Sequence, residues 1–276
     1  MTQMTEQQTN STQKSILSWL VLLAGVYAIL LSVGMVGSGF KEASGGSAGA
    51  KELFAFATNP FLALLIGILA TALVQSSSTV TSVIVGLVAG GLPIEAAIPM
   101  VMGANIGTTV TNTLVSLGHV RKKSEFRRAF AAATVHDFFN LMCVIIFLPI
   151  EIFFNIFEKA SAWLAGLMVD GDSMSMKGFN FIKPLTKPVI SEIKHFLDFL
   201  PDMAGAITLV GMGILAIFAS ITIIGRVLRG LMVGRAKKIL HGAIGRGPIS
   251  GIASGAVVTV LVQSSSTTTS LMVPLV

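Results

Sequence analysis

The chain has 276 residues, of which 53% are hydrophobic and only 12% are charged, with a mean hydropathy of +0.82. A soluble domain carries about twice that charged fraction, so the composition excludes a soluble protein and indicates an integral membrane protein. The sequence pI of 9.7 could suggest nucleic-acid binding. However, the basic residues lie in loops beside apolar segments, where the positive-inside bias places them.

Apolar segments follow one another closely along the chain. They lie at about 16–36, 53–92, 96–118, 129–150, 152–169, 206–225 and from 248 to the end. Several reach the roughly 20 residues that a helix needs to cross a bilayer, and none shows the alternation of a barrel strand. We therefore predict an all-α, polytopic helical bundle.

The start of the chain predicts a first span that is retained. The first 15 residues contain one Lys and one Glu, which is a poor signal-peptide start, and the apolar run Ile16–Val36 that follows has no clear cleavage site. The single cysteine, Cys143, excludes an intrachain disulfide and most cysteine-based metal sites.

Charge in the connecting segments predicts the orientation. Segment 119–128 has five Arg or Lys and one Glu, and 226–246 has six Arg or Lys and no acid. Segment 151–205 instead has five Lys and seven Asp or Glu, and its sequence "ISEIKHFLDFL" predicts an amphipathic helix at the membrane surface. The two basic segments are expected to be cytoplasmic, the acidic one external and the N-terminus cytoplasmic.

An internal repeat relates two parts of the chain. Residues 59–88 and 247–276 are identical at 15 of 30 positions when offset by 188, and both contain "LVQSSST". The first copy starts from the external stretch 37–52 and the second from the cytoplasmic stretch 226–246. This inverted-topology repeat is typical of secondary transporters with a site near the membrane midplane. The second copy is incomplete at Val276, so we expect a fragment of a longer polypeptide.

The predicted organisation has five parts. Residues 1–52 form the N-terminus, first span and short external stretch, and residues 53–150 form repeat one. The remaining parts are the external amphipathic connection 151–205, the span and basic loop 206–246, and the start of repeat two at 247–276.

The repeat carries an unusual density of polar side chains. Gln75 is followed within eight residues by six hydroxyl groups, those of Ser76, Ser77, Ser78, Thr79, Thr81 and Ser82. Hydroxyls can bond to carbonyls of their own helix, but so many can neither face lipid nor be satisfied by one helix partner. We predict a helix broken at Gln-Ser-Ser-Ser, whose N–H and hydroxyl donors suit an oxyanion and whose oxygens suit a small hard cation.

A second polar stretch, "MGANIGTTVTNT" at 102–113, has the same character. Asn105 and the threonines are candidate ligands. The alternative is a helix-packing face of small residues, and Gly103 and Gly107 are expected to serve packing.

Charged residues inside the apolar segments are few. No Arg or Lys lies in the repeat helices, so a bound Na+ would have to provide positive charge beside an anion. Asp137 in "TVHDFFN" is the candidate for proton coupling, although pairing with His136 or a backbone group is the favoured interpretation. The sequence has no Walker loop, no G-x-S-x-G and no dinucleotide fingerprint, so an enzyme is not predicted.

These motifs resemble the type II sodium-dependent phosphate cotransporter family, whose members carry duplicated Q-S-S-S motifs. Besides "QSSST" at both positions, "GANIGTTVTNT", "EFRRAF" and "ATVHDFFN" follow the family pattern in order. The resemblance covers about 59–150 and 247–276. The chain lacks the cysteines for the disulfide of the animal members' external loop, and a bacterial origin is therefore expected.

The resemblance implies Na+-driven uptake of inorganic phosphate across the plasma membrane by alternating access, with Na+ as the coupling ion and no other cofactor. The implied phosphate-binding residues are Gln75, Ser76, Ser77, Ser78, Gln263, Ser264, Ser265 and Ser266. The implied sodium-binding residues are Gln75, Thr79, Asn105, Thr108, Gln263 and Thr267. Of these, Asn105 and Thr108 are expected on an adjoining broken helix.

Three alternatives remain open at this point. The first is a sodium-coupled symporter of the same architecture for another small anion, sulfate or a carboxylate. The second is a passive channel, against which the inverted repeat and broken helices argue. The third is a membrane subunit that senses phosphate without moving it.

Overall fold

A computed structural model describes residues 2–46, 49, 52, 54, 59–117, 123–169, 182–243, 247–262, 265 and 268. Every extended regular element in these residues is an α-helix, as the sequence predicts. The helices are α1 (Thr2–Ala43), α2 (Pro60–Val74), α3 (Ser77–Gly90), α4 (Ile94–Leu117), α5 (Lys123–Phe154), α6 (Ile156–Val169), α7 (Ile182–Leu197), α8 (Asp202–Ala243) and α9 (Pro248–Val262).

Three stretches of these helices are long and apolar enough to cross a membrane: Ile16–Ala43, Thr134–Phe154 and Asp202–Met232. They agree with the spans predicted at 16–36, 129–150 and 206–225. The apolar segment 53–92 instead contains two shorter helices, α2 and α3. The protein is therefore a helical membrane protein.

Helices α1 and α8 form a long antiparallel pair. Gly25 lies against Ile224, and Gly39 lies against the backbone and side chain of Val210. Because the residue numbers rise along α1 as they fall along α8, the end of α1 at Ala43 lies beside the start of α8. We call this end of the bundle the Ala43 side.

Helices α2 and α3 form a hairpin with its tip at Gln75 and Ser76. Gly86 of α3 lies against Val36 of α1, and Gly90 lies against Gly37 and Phe40. The residue numbers rise together, so α3 runs parallel to α1, toward the Ala43 side. Helix α2 therefore enters from the Ala43 side and α3 returns to it.

The second copy of the repeat begins at the other end of the bundle. Helix α8 leaves the Ala43 side and continues for 42 residues, about 63 Å of helix, before α9 starts at Pro248. Helices α2 and α9 occupy the same 15 positions of the repeat, and each starts at its proline, a residue favoured in the first helical turn. Their opposite points of entry support the inverted arrangement.

A buried carboxylate joins α5 to α6. Glu151 is 6% exposed, and its two oxygens accept hydrogen bonds from the backbone N–H groups of Phe157 (2.6 Å) and Glu158 (3.1 Å). Between the helices, Asn155 has a φ of 50°. The carboxylate thus satisfies N–H groups at the start of α6 that have no partner within that helix.

Helix α7 is the amphipathic helix expected in the 151–205 connection. Thr186, Ile190 and Leu197 are buried, while Lys187 and Glu192 are exposed. Its apolar side packs against α1 and α8. This placement differs from the expected one, in which the helix lies flat at a membrane surface.

Candidate functional site

The chain leaves the helical conformation at Gln75, at the tip of the α2–α3 hairpin. Gln75 has φ 57° and ψ 27°, and its backbone N–H donates to Thr71 O (2.7 Å). Its side-chain Nε2 donates to Ala72 O. Few residues other than glycine adopt this left-handed conformation, which here ends α2 in the manner of a helix C-cap. The predicted break in repeat one is confirmed.

Ser76 begins the second half of the hairpin. Its backbone is extended, with φ −152° and ψ 100°, and its Oγ accepts a hydrogen bond from the backbone N–H of Thr79 (3.3 Å). The two hydroxyls, Ser76 Oγ and Thr79 Oγ1, also lie 2.8 Å apart. Ser76 is thus an N-cap of the kind that serine favours.

The start of α3 is chemically suited to an anion. Ser77 and Ser78 are its first two residues, and the N–H groups of a first turn have no partner within their own helix. The positive end of the helix dipole lies at the same place. Gln75 and Ser78 are exposed, Ser76 and Ser77 are half-buried, and Thr79 is buried.

Close helix packing brings α4 beside this tip. A Cβ at Gly103 would collide with the carbonyl of Leu64, and one at Gly107 would lie 2.7 Å from Thr71 Cβ. The packing role predicted for both glycines is confirmed. Thr71 lies in the last turn of α2, one turn before Gln75. Because Gly107 touches Thr71, the next residue of α4, Thr108, lies near the end of α2.

The break expected in α4 is wrong, because the helix is continuous from Ile94 to Leu117. Thr108 Oγ1 donates to Ala104 O (3.1 Å), and Thr109 Oγ1 donates to Ile106 O (2.7 Å). These bonds satisfy the hydroxyls inside an intact helix, so the polar sequence does not require unwinding. Asn105 is exposed and Thr108 is buried, so the two predicted sodium ligands differ in accessibility.

Asn140 of α5 supports Asn105, and neither Asn140 nor its neighbour His136 was assigned to the site from the sequence. Asn140 Nδ2 donates to the backbone oxygen of Asn105 (3.1 Å) and lies 3.3 Å from His136 Nε2. The signal was present in "TVHDFFN", where His136 and Asn140 are four residues apart and therefore share a helix face. The neighbouring Asp137 is half-buried, and its local pairing stays a prediction.

The family model described as Na+/Pi-cotransporter matches residues 28–174, more than half of the chain. The chain belongs to the Na+/Pi-cotransporter family. It is 50% identical over 138 residues to sodium-dependent phosphate transport protein 2B of Homo sapiens, a match covering 48% of this chain and 20% of that relative. It is 48% identical over 135 residues to sodium-dependent phosphate transport protein 2A of Mus musculus, covering 48% and 21%.

The chain thus spans about a fifth of the length of these relatives. No solved structure matches it. The family is one of transporters and not of enzymes. The region matched by the Na+/Pi-cotransporter model contains the hairpin tip at Gln75, the α4 residues Asn105 and Thr108, and the pair His136 and Asn140.

The second "QSSST" lies beyond the region matched by the Na+/Pi-cotransporter model. Gln263, Ser264, Ser266 and Thr267 are outside the described residues, whereas Ser265 is described and half-buried. Helix α9 packs against α8, and Thr259 Oγ1 donates to Thr268 Oγ1 (3.1 Å). A meeting of the two motifs in one site stays a prediction.

Proposed function

We propose that this protein acts in the sodium-coupled uptake of inorganic phosphate by alternating access. It would do so as a multi-pass protein of the plasma membrane with a cytoplasmic N-terminus. The observation that carries the proposal is the helix break at Gln75 and Ser76, which places amide, hydroxyl and backbone N–H groups at the tip of an apolar hairpin. The names of the relatives support phosphate as the substrate and sodium as the coupling ion.

The proposed phosphate site begins at the first turn of α3. Backbone N–H groups and hydroxyls there donate to the phosphate oxygens, and the second motif contributes the other half. The phosphate-binding residues in this proposal are Gln75, Ser76, Ser77, Ser78, Gln263, Ser264, Ser265 and Ser266.

Sodium would supply the positive charge that this region lacks. Between Asn59 and Leu117 the only formally charged side chain is that of Glu95, so no protein cation in these helices neutralises a phosphate. In surroundings of low dielectric constant, a nearby Na+ attracts the anion strongly, and this attraction couples the two ligands. The proposed ligands are neutral oxygens, from Gln75, Thr79, Asn105, Thr108, Gln263 and Thr267.

The test is uptake of radiolabelled phosphate into proteoliposomes that contain the full-length protein. We expect saturable accumulation against a gradient in Na+, and none when K+ or choline replaces it. Sodium-independent uptake would contradict the coupling. Arsenate should compete with phosphate and sulfate should not, whereas inhibition by sulfate or a carboxylate would favour the symporter for another anion.

A further inference from the structure

Thr71 has a buried hydroxyl without a hydrogen-bond partner in the part of the chain that the structure describes. It lies in the last turn of α2, where its side chain is completely buried and its Oγ1 is unpaired. A threonine inside a helix can donate to a carbonyl one turn earlier, as Thr108 does to Ala104 O. A buried hydroxyl without a partner is costly, so a ligand is expected at Thr71.

The second copy of the repeat pairs the equivalent hydroxyl. Thr259 occupies the position of Thr71, and its Oγ1 donates to Thr268 Oγ1 (3.1 Å). The residue of repeat one at the position of Thr268 is Val80, whose side chain has no polar atom. Val80 and Thr268 are buried to the same extent, each 6% exposed. Repeat two therefore satisfies its threonine within the hairpin, whereas repeat one leaves the hydroxyl available.

Close packing of α2 on α4 brings Thr108 beside Thr71. A Cβ at Gly67 would lie 3.0 Å from the backbone nitrogen of Ala104. A Cβ at Gly107 would lie 2.7 Å from Thr71 Cβ. Residue numbers rise together at these contacts, so the two helices are parallel. One turn beyond the first contact, the two helices carry Thr71 and Thr108, and both side chains are buried.

The chemistry at this end of α2 favours a monovalent cation. Thr108 Oγ1 donates its proton to Ala104 O (3.1 Å), so only its lone pairs remain for a ligand. The last turn of α2 also carries the negative end of the helix dipole. Ca2+ and Mg2+ would require carboxylates. The only formally charged side chain between residues 59 and 117 is Glu95, 13 residues before Thr108 on α4 and thus about 20 Å away.

We propose that Thr71 Oγ1 is a ligand of the transported Na+, held between the last turn of α2 and Thr108 of α4. The backbone oxygen of Thr71 accepts the N–H of Gln75 (2.7 Å), so the ion lies one turn from the break. Sodium then lies at the end of α2 and phosphate at the start of α3, on the two sides of one break. The identity of the transported ion rests on the proposed function. The hydroxyl ligand is specific to repeat one, because Thr259 is already bonded to Thr268.

The sodium site is tested by thermal unfolding of the purified full-length protein without phosphate. We expect Na+ to raise the unfolding temperature relative to K+ or choline at equal ionic strength, since a ligand of the folded state stabilises it. Thr71→Val keeps the shape of the side chain and removes the hydroxyl. It should raise the Na+ concentration needed for a given rise in unfolding temperature about tenfold, as expected for the loss of one interaction with a charge.

The alternative is that Thr71 only packs between the helices. Under either view Thr71→Val raises the unfolding temperature without Na+, because a buried unpaired hydroxyl is removed, so the response to Na+ decides. An unchanged Na+ response in Thr71→Val would overturn the sodium ligand, as would equal stabilisation of the unmodified protein by Na+ and K+. Thr71→Ser retains the hydroxyl and should keep the response.

Thr259→Val is the matched control at the equivalent position of repeat two. It removes the hydrogen bond to Thr268, so it should lower the unfolding temperature while the Na+ response stays that of the unmodified protein. A loss of Na+ response equal to that of Thr71→Val would contradict a ligand specific to repeat one.

Phosphate uptake into proteoliposomes connects the sodium site to transport. Thr71→Val should raise the Na+ concentration for half-maximal uptake about tenfold, and saturating Na+ should restore the KM for phosphate of the unmodified protein. Uptake with an unaltered Na+ dependence would refute the role of Thr71 and leave the proposed function intact. Because thermal unfolding needs no transport, a full-length protein that takes up no phosphate would refute the proposed function and leave the test of Na+ binding valid.

Discussion

At the scale of single residues, Gln75 combines a backbone role with a side-chain role. Its φ of 57° ends α2, and its amide is proposed to contact both ligands. Gln75→Gly keeps the turn, because glycine adopts this conformation freely, and should change stability by less than about 1 kcal/mol, since the relief of backbone strain is offset by loss of the Nε2 hydrogen bond to Ala72 O. It should nevertheless abolish phosphate uptake, because the amide is lost. Thermal unfolding and uptake measured on the same preparation separate the two roles.

The control for Gln75 is Asn, which keeps an amide and tolerates the left-handed conformation. Gln75→Asn should fold normally and retain part of the uptake. Full activity in Gln75→Gly would show that only the break in the helix matters, contrary to the proposed site.

Asn140 acts through the backbone of Asn105 and is a positioning residue. Asn140→Leu removes the donor at similar size, and the loss of one hydrogen bond of about 1 kcal/mol should raise the Na+ concentration for half-maximal uptake about fivefold. The maximal rate should change less than this concentration does. Met142, exposed on the same helix, provides the control Met142→Leu. Equal Na+ dependence in Asn140→Leu and the unmodified protein would contradict the role.

At the scale of helices, the contact between α2 and α4 depends on glycine. Gly103→Ala would place a Cβ against the carbonyl of Leu64, and this backbone cannot move without shifting the hairpin. Overpacking of this kind costs about 1–3 kcal/mol. The variant should therefore unfold at a lower temperature and transport poorly.

Gly211→Ala on α8 is the matched control for Gly103→Ala, because nothing lies within 4 Å of the added Cβ. It should be neutral or slightly stabilising, since alanine has the higher helix propensity. A similar loss of stability in both variants would contradict a packing role specific to Gly103.

At the scale of the whole molecule, the two copies of the repeat are expected to start on opposite faces of the membrane. In a background with every native cysteine, Cys143 included, replaced by Ser, Glu52→Cys should be labelled by a membrane-impermeant thiol reagent from outside the cell and Gly242→Cys from the cytoplasm alone, since both positions are exposed. Labelling of both from one side would refute the inverted arrangement. Labelling of both after permeabilisation provides the control.

Much of this organisation follows from the sequence because lipid imposes a simple rule. Long apolar runs must be helices. Where a polar stretch such as "QSSST" interrupts one, either the helix is broken there or the polar side chains have hydrogen-bond partners. The continuous α4 shows where this reasoning ends, since Thr108 and Thr109 bond within their own helix. The support of Asn105 by Asn140, across 35 residues, and the position of α7 beside Tyr27 depend on tertiary packing that no local pattern encodes.

The pairing of α1 with α8 has a consequence for how the chain is made. Helix α1 is synthesised first, yet the partner of Gly25 is Ile224, about 200 residues later, which corresponds to about 10–40 s of translation. Of the helices that pack against α1 in the part of the chain that the structure describes, α3 and α7 are made during that time. We expect the insertion machinery or a chaperone in the membrane to hold α1 until α8 emerges, so that slower translation before residue 202 prolongs its exposure to proteolysis.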